Sequence, residues 1–285
     1  MKRTLLFLIT LTFLVFATLS SSEAFSQKRI PAKAAVVMDT NGAVLYAMYP
    51  NAKLAPASTV KLVTAMVVLD CLKPEAIVKI SRDASKVRTI PPRLCPDEEF
   101  TVADLLHLAL MKSINTAAVA LAEAVSGSER EFTALMNRKA KELGASSTLF
   151  ANASGLPKGL QYSTAGDLVL IMKAALTYPL IREILGTKAY LVKTAEGREL
   201  YLENSNDLLW QKDNIIGGKT GYTGNARHCF VCAINTEKGP LFTVVLGARS
   251  RRGLWKSTLL LEEIGMKAEF AYMQGKSLIL PAVSH

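Results

Sequence analysis

The sequence predicts an α/β protein of the α+β arrangement, a single antiparallel sheet with helices packed on it and a large helical insertion between its strands. Three observations predict it. A hairpin pattern stands near the start, a run of capped helical patterns fills the middle, and paired strand segments followed by one more helix close the chain. No break in composition marks a linker and no internal repeat is present, so residues 27–285 are read as one domain behind a leader over residues 1–26.

The elements follow in order. "AAVVMDTNGAVLYAMYP" places two short apolar runs around Thr40-Asn41-Gly42, a strong hairpin pattern. Next comes an apolar helical segment beginning near Ser58. Thr101 and Asp104 have the spacing of a capping box at the start of "VADLLHLALMK". "TAAVALAEAV" is a second helix ending at Ser126-Gly127. A third opens with Ser128 and Glu131, carries Phe132, Leu135, Met136, Ala140 and Leu143 on one face, and stops at Gly144. Thr164 with Asp167 starts another, and Pro179 suits the first turn of a short helix after it. Strand character returns in "KAYLVKT" and "RELYLE" around Ala195-Glu196-Gly197, then in "HCFVCAIN" and "LFTVVLGA" around Lys238-Gly239-Pro240. Residues 253–272 read as helix.

The 285-residue chain is half apolar and one-fifth charged, ample for a packed core. "MKRTLLFLITLTFLVFATLS" begins with Lys2 and Arg3, continues as an apolar run and ends in small polar residues, the order of a secretory signal peptide processed after Ala24 or Ser26. The alternative is an uncleaved anchor; both direct the remainder to an exported, periplasmic or extracytoplasmic location. The net charge of +10 fits anionic envelope polymers or lipid headgroups as partners, or simply a solvated basic surface. Nucleic acid is a poor fit, because the basic residues do not alternate with aromatics in any recognisable module. The four cysteines are Cys71, Cys95, Cys229 and Cys232. Cys229 and Cys232 lie three apart on a predicted strand, hence about 10 Å apart on opposite faces, which disfavours a redox pair and predicts buried free thiols. Three histidines without suitable spacing leave no metal set. Cys71 and Cys95 flank a loop and could form a bridge in an oxidising compartment.

Three short segments carry chemistry. In "PASTVKLVTA", Ser58 and Lys61 are three apart at a helix start, which puts amine beside hydroxyl. Burial and the positive end of the helix both disfavour the ammonium, and a neutral amine can take the proton from a serine nucleophile. Ser113-Ile114-Asn115 falls in a turn between two helices. "IIGGKTGYTG" reads as a glycine-rich lead-in to the strand "HCFVCAIN", where Gly217, Gly218 and Gly221 would let a ligand approach the backbone and Lys219 would attract an anion.

S-x-x-K, S-D-N and K-T-G form the motif set of penicillin-binding proteins and class A β-lactamases, and their counterparts occur here in that order. The chain resembles the serine D-alanyl-D-alanine carboxypeptidases, the low-molecular-mass penicillin-binding proteins. The likeness runs from about Ala34 to Ala268 and includes "EEFTVADLLHLALMKSINTAAVALAE", "NRKAKELGASSTLFANASGL", "YSTAGDL", "NSNDLLW" and "GGKTGYTGNARHC". The resemblance implies a β-lactamase/transpeptidase-like fold and a peptidoglycan stem peptide ending in D-Ala-D-Ala as substrate, with β-lactam antibiotics as covalent inhibitors. It implies Ser58 as nucleophile, Lys61 as its base and Ser113 as a proton relay, with no metal or organic cofactor needed. It gives Asn115, Lys219, Thr220, Gly221 and Tyr222 to substrate binding, with the Ser58 and Tyr222 N–H groups as the oxyanion hole.

The chain departs from the family pattern at Ile114, at Thr116 and at Ser154, where the carboxypeptidases often show His. The layout is also similar to D,D-endopeptidases, which cut cross-links, and that alternative stays open. A β-lactam-sensing module and a β-lactamase are further alternatives. Against the last, residues 149–166 hold no Asp or Glu to serve as a deacylating base.

Overall fold

In a computed structural model the described residues are 30–194 and 196–273. The predicted leader, Ala195 of the predicted turn and the C-terminal segment from residue 274 lie outside them.

The first hairpin forms as expected from β1 (Ala34–Met38) and β2 (Val44–Met48). Its turn is held by Asp39, whose Oδ1 accepts the N–H groups of Asn41 and Ala43 at 2.9 and 2.8 Å, and Gly42 supplies a φ of 91°. Then come a 3₁₀ turn over Ala57–Val60 and α1 (Lys61–Cys71). The insertion continues with β3 (Ile77–Lys79), α2 (Arg82–Lys86), β4 (Glu99–Thr101), α3 (Val102–Leu110), α4 (Asn115–Ser126) and α5 (Glu129–Glu142). It ends with α6 (Ala165–Ala175), α7 (Pro179–Gly186) and the hairpin of β5 (Ala189–Lys193) and β6 (Glu199–Glu203). The capping residues do what their spacing predicts: Thr101, Ser128 and Thr164 accept the N–H groups of Asp104, Glu131 and Asp167 at 3.0, 3.2 and 3.0 Å. Gly127 and Gly144 follow α4 and α5 in the left-handed conformation, and Pro179 opens α7.

Strands β7 (Ile215–Thr223), β8 (Arg227–Thr236) and β9 (Gly239–Ala248) complete a five-stranded antiparallel sheet in the order β2-β1-β9-β8-β7. The last helix, α8 (Arg251–Met273), matches the expected 253–272 closely. The sheet is buried on both faces, which is why β8 and β9 are almost continuously apolar. Val36, Val231 and Val244 face the insertion and α1, while Val37, Cys232 and Val245 face α8 with Leu254, Leu261 and Ile264.

Cys229 and Cys232 fall into these two different cores as free buried thiols. The bridge considered for Cys71 and Cys95 is not formed. Both are exposed free thiols, Cys71 closing α1 and Cys95 fixed in a separate turn where its N–H donates to Glu98 Oε2 at 2.6 Å.

The K-T-G segment is a second correction. It does not lead into a strand but is itself β7, paired with β8 from Ile215 to Thr223. Gly217 and Gly218 make room for protein, since a Cβ there would lie 2.7 Å from Leu185 and 2.6 Å from the Phe230 ring. Helix α7 therefore seats directly on β7, and only Gly221 of the three lines the cleft described next.

Candidate active site

A cleft of about 520 Å³ opens where the 3₁₀ turn, the α3–α4 connection and β7 meet. Ser58, Ser113, Asn115, Thr220, Gly221 and Tyr222 all line it. Lys61 and Lys219 sit behind its wall, at 1% and 0% exposure. All eight residues picked from the sequence thus converge on one place, although the three motifs come from three separate parts of the fold.

The tight turn before α1 brings Ser58 and Lys61 together. In a 3₁₀ turn, side chains three apart eclipse one another, and Lys61 Nζ lies 3.0 Å from Ser58 Oγ. Ala57, buried beside them, takes a φ of 50°, a strained conformation for a residue with a Cβ. Two glycines permit that kink to be packed. A Cβ on Gly155 would lie 2.0 Å from the Ala57 carbonyl oxygen, and one on Gly221 would lie 2.9 Å from Ser58 N.

Lys61 Nζ has two further neighbours, Asn115 Oδ1 at 2.7 Å and the Ser154 carbonyl oxygen at 2.7 Å. The orientation of the Asn115 amide is fixed, because its Nδ2 donates to the Arg88 carbonyl at 2.7 Å and its backbone N–H donates to Thr89 Oγ1 at 3.0 Å. Burial above all, and then the charge of Lys219, hold the Lys61 pKa well below the ordinary lysine value, while Glu129 pulls it partly back. Two of the three neighbours can only accept, so a neutral amine gives them its two N–H bonds and turns its lone pair to the Ser58 hydroxyl. The arrangement can therefore abstract a proton from Ser58.

Ser113 sits between α3 and α4 with a φ of 64°, and its hydroxyl makes no hydrogen bond among the described residues. Lys219 donates to the Thr220 carbonyl at 2.9 Å, and burial lowers its pKa to about 7. Thr220 Oγ1 is paired with Ser205 Oγ at 2.6 Å, and the Ser205 N–H donates to the Met111 carbonyl at 2.9 Å, which ties β7 to the end of α3. Tyr222 is mostly exposed and tilts over His228, ring centroids 4.5 Å apart.

Sequence reasoning missed several wall residues. Arg251 binds Asp207 through Nε and Nη2 at 3.1 and 2.7 Å and donates to the Ser205 carbonyl at 3.0 Å, and Trp255 donates to Asp207 at 2.8 Å. Ser205 lies in the quoted "NSNDLLW", Leu156 closes the quoted "NASGL" and Pro157 directly follows it, so the signal was present without an assignable role. Among the described residues no group of three His, Cys, Asp or Glu side chains is placed to hold a metal ion.

Comparison with known proteins shows what the chain is similar to. A family model described as D-alanyl-D-alanine carboxypeptidase matches residues 21–250. The chain is 36% identical over 223 residues to the Bacillus subtilis D-alanyl-D-alanine carboxypeptidase DacF, covering 76% of this chain and 57% of that protein. It is 35% identical over 267 residues to a Pseudomonas aeruginosa D-alanyl-D-alanine endopeptidase, covering 87% of this chain and 84% of the relative. A Streptomyces DD-transpeptidase crystal structure superposes with a TM-score of 0.79 at 28% identity, covering 84% of this chain and 98% of the other.

Proposed function

This chain belongs to the D-alanyl-D-alanine carboxypeptidase family, and on that footing we propose that it is an exported serine D,D-peptidase that removes the terminal D-alanine from peptidoglycan stem peptides. The observation that carries this reading is the Lys61 amine, buried, held by two fixed acceptors and 3.0 Å from Ser58 Oγ. Ser58 Oγ attacks the carbonyl carbon of the D-Ala-D-Ala bond as Lys61 takes its proton. The oxyanion is held by the N–H groups of Ser58 and Tyr222. The proton then passes from Lys61 through the Ser113 hydroxyl to the leaving nitrogen, and the C–N bond breaks. Water hydrolyses the resulting ester, regenerating Ser58. Asn115 orients Lys61 and the substrate amide, while Lys219 and Thr220 bind the terminal carboxylate. A β-lactam enters the same steps and stays as the acyl group. The basic surplus of the sequence supports docking on anionic wall polymers or lipid headgroups.

One observation favours a second reading, an endopeptidase cutting cross-links: the Pseudomonas relative of that name matches over most of both chains. Purified peptidoglycan digested with the protein and analysed by mass separates the two. Loss of a terminal D-alanine is the expected result, conversion of dimers to monomers supports the endopeptidase, and no change in either sinks the enzyme reading. Ser58→Ala is expected to abolish covalent labelling by a fluorescent penicillin, and labelling that persisted would remove Ser58 as the nucleophile.

A further inference from the structure

The third contact of Lys61, beside those to Ser58 and Asn115, is to a backbone carbonyl, that of Ser154. A carbonyl can be aimed only by fixing its peptide plane, and the plane here is fixed by one buried side chain. Asn152, 1% exposed, accepts with Oδ1 from Ser154 N at 3.2 Å, Ser154 Oγ at 3.1 Å and Gly155 N at 2.7 Å. Its Nδ2 donates to the carbonyls of Leu156 at 2.9 Å and Lys158 at 3.4 Å, and Leu156 belongs to the cleft wall. All the hydrogen-bonding capacity of this side chain is thus spent inside residues 152–158. The neighbouring residue is clamped as well, Ala153 N donating to Glu129 Oε1 at 3.1 Å and Ala153 O accepting from Thr64 at 2.8 Å.

We propose that Asn152 is a positioning residue for acylation, aiming the Ser154 carbonyl at Lys61 so that the amine lone pair is directed to Ser58. It touches neither substrate nor nucleophile and acts through the carbonyl. The inference rests on the Ser58–Lys61 reading above. A fixed carbonyl supports Lys61 in two ways: it removes rotation of the amine, and it favours the ammonium form, opposing the effect of burial. The charged groups that act on Lys61 are Lys219 from β7 and Glu129 from α5. Both remain in the variants below.

The test is the second-order rate of acylation by a fluorescent penicillin from pH 5 to 9, using the folded full-length chain. Asn152→Ala frees the carbonyl. The plateau rate is expected to fall about tenfold or more, and the acid limb to move to lower pH because the ammonium has lost an acceptor. Asn152→Asp keeps the acceptor for the three donors and adds negative charge in the turn, so its acid limb is expected to move to higher pH. A merely structural role lowers the plateau through misfolded protein and leaves the Asn152→Ala limb where it is in the wild type; that result would overturn the proposal. If Asn152→Ala does not fold, Asn152→Ser, neutral and too short to hold the three donors, decides in its place, and an unmoved limb overturns the proposal. No labelling of Ser58 in the wild type would instead defeat the reading beneath it, an outcome distinct from an unmoved limb.

Discussion

Two lysines are buried at the ends of this site, and their surroundings differ in one respect that separates their chemistry. Lys61 meets three oxygens at 2.7 to 3.0 Å, two of them pure acceptors. The Lys219 amine makes a single hydrogen bond among the described residues, to the carbonyl of the next residue in its own strand. Burial lowers both pKa values, that of Lys219 to about 7. An amine with its N–H bonds committed is a directed base. An amine with unused donors behind Thr220 is a vacancy for an anionic oxygen, and its remaining hydrogen-bonding capacity is satisfied when a carboxylate arrives. Equal burial thus yields a base at one end and an anion receptor at the other, and the count of acceptors decides which.

The largest effect tests the base. Lys61→Met removes the amine while keeping the volume, and acylation of Ser58 by penicillin is expected to slow by about 10³-fold or more. Rapid labelling in that variant would place the base elsewhere and dissolve the contrast.

Lys219→Met tests the receptor. The KM of a D-Ala-D-Ala peptide is expected to rise roughly 10- to 100-fold, the range for a lost charge-assisted hydrogen bond, with kcat changed far less. For the wild type, kcat/KM should fall above about pH 7 as free Lys219 loses its proton. No matching limb is expected in kcat, because a bound carboxylate retains that proton. The same residue predicts a stability effect of definite sign. Its folded pKa of about 7 lies below the ordinary 10.5. Between these values the unfolded chain binds more protons, so the wild type gains stability as pH rises through that window. Below about pH 7 both states are charged and the cost of burying the ammonium is complete. Lys219→Met should therefore melt several degrees higher than the wild type at pH 6, with the gap closing toward pH 10. Equal melting temperatures at pH 6 would mean that the ammonium is not a burden on the fold.

How much of this was legible in the sequence follows from how local each contact is. Ser58 and Lys61 are three residues apart, and Thr101, Ser128 and Thr164 sit three residues before the N–H groups that they cap, so chain geometry alone brings these partners together. The Ser154 carbonyl lies 93 positions from Lys61 and is a main-chain atom that every residue possesses, so no residue type announces it. Gly217 and Gly218 announced a close approach correctly and its object wrongly, since a missing Cβ records that something is near without saying whether it is ligand or helix. The strands Ile77–Lys79 and Glu99–Thr101 escaped notice because three residues are too few for a period of two to show. Asn152 carried no cue beyond a loop asparagine, the commonest kind of turn residue.

The smallest effect concerns Ser205, which reaches only one of the two lysines. Its hydroxyl is 2.6 Å from that of Thr220, whose carbonyl in turn accepts from Lys219. Among the described residues no hydrogen bond connects it to those of Lys61, which end at Ser58, Asn115 and Ser154. Ser205→Ala removes one partner of the Thr220 hydroxyl and leaves the Met111 bond to its own N–H intact. A lost hydrogen bond between neutral groups is worth about 1 kcal/mol, so the KM for a substrate with a free terminal carboxylate should rise about fivefold. The acid limb of penicillin acylation reports Lys61 and should not move. A shifted limb would show that the two ends of the cleft share one proton network, and the division between base and receptor would then have to be given up.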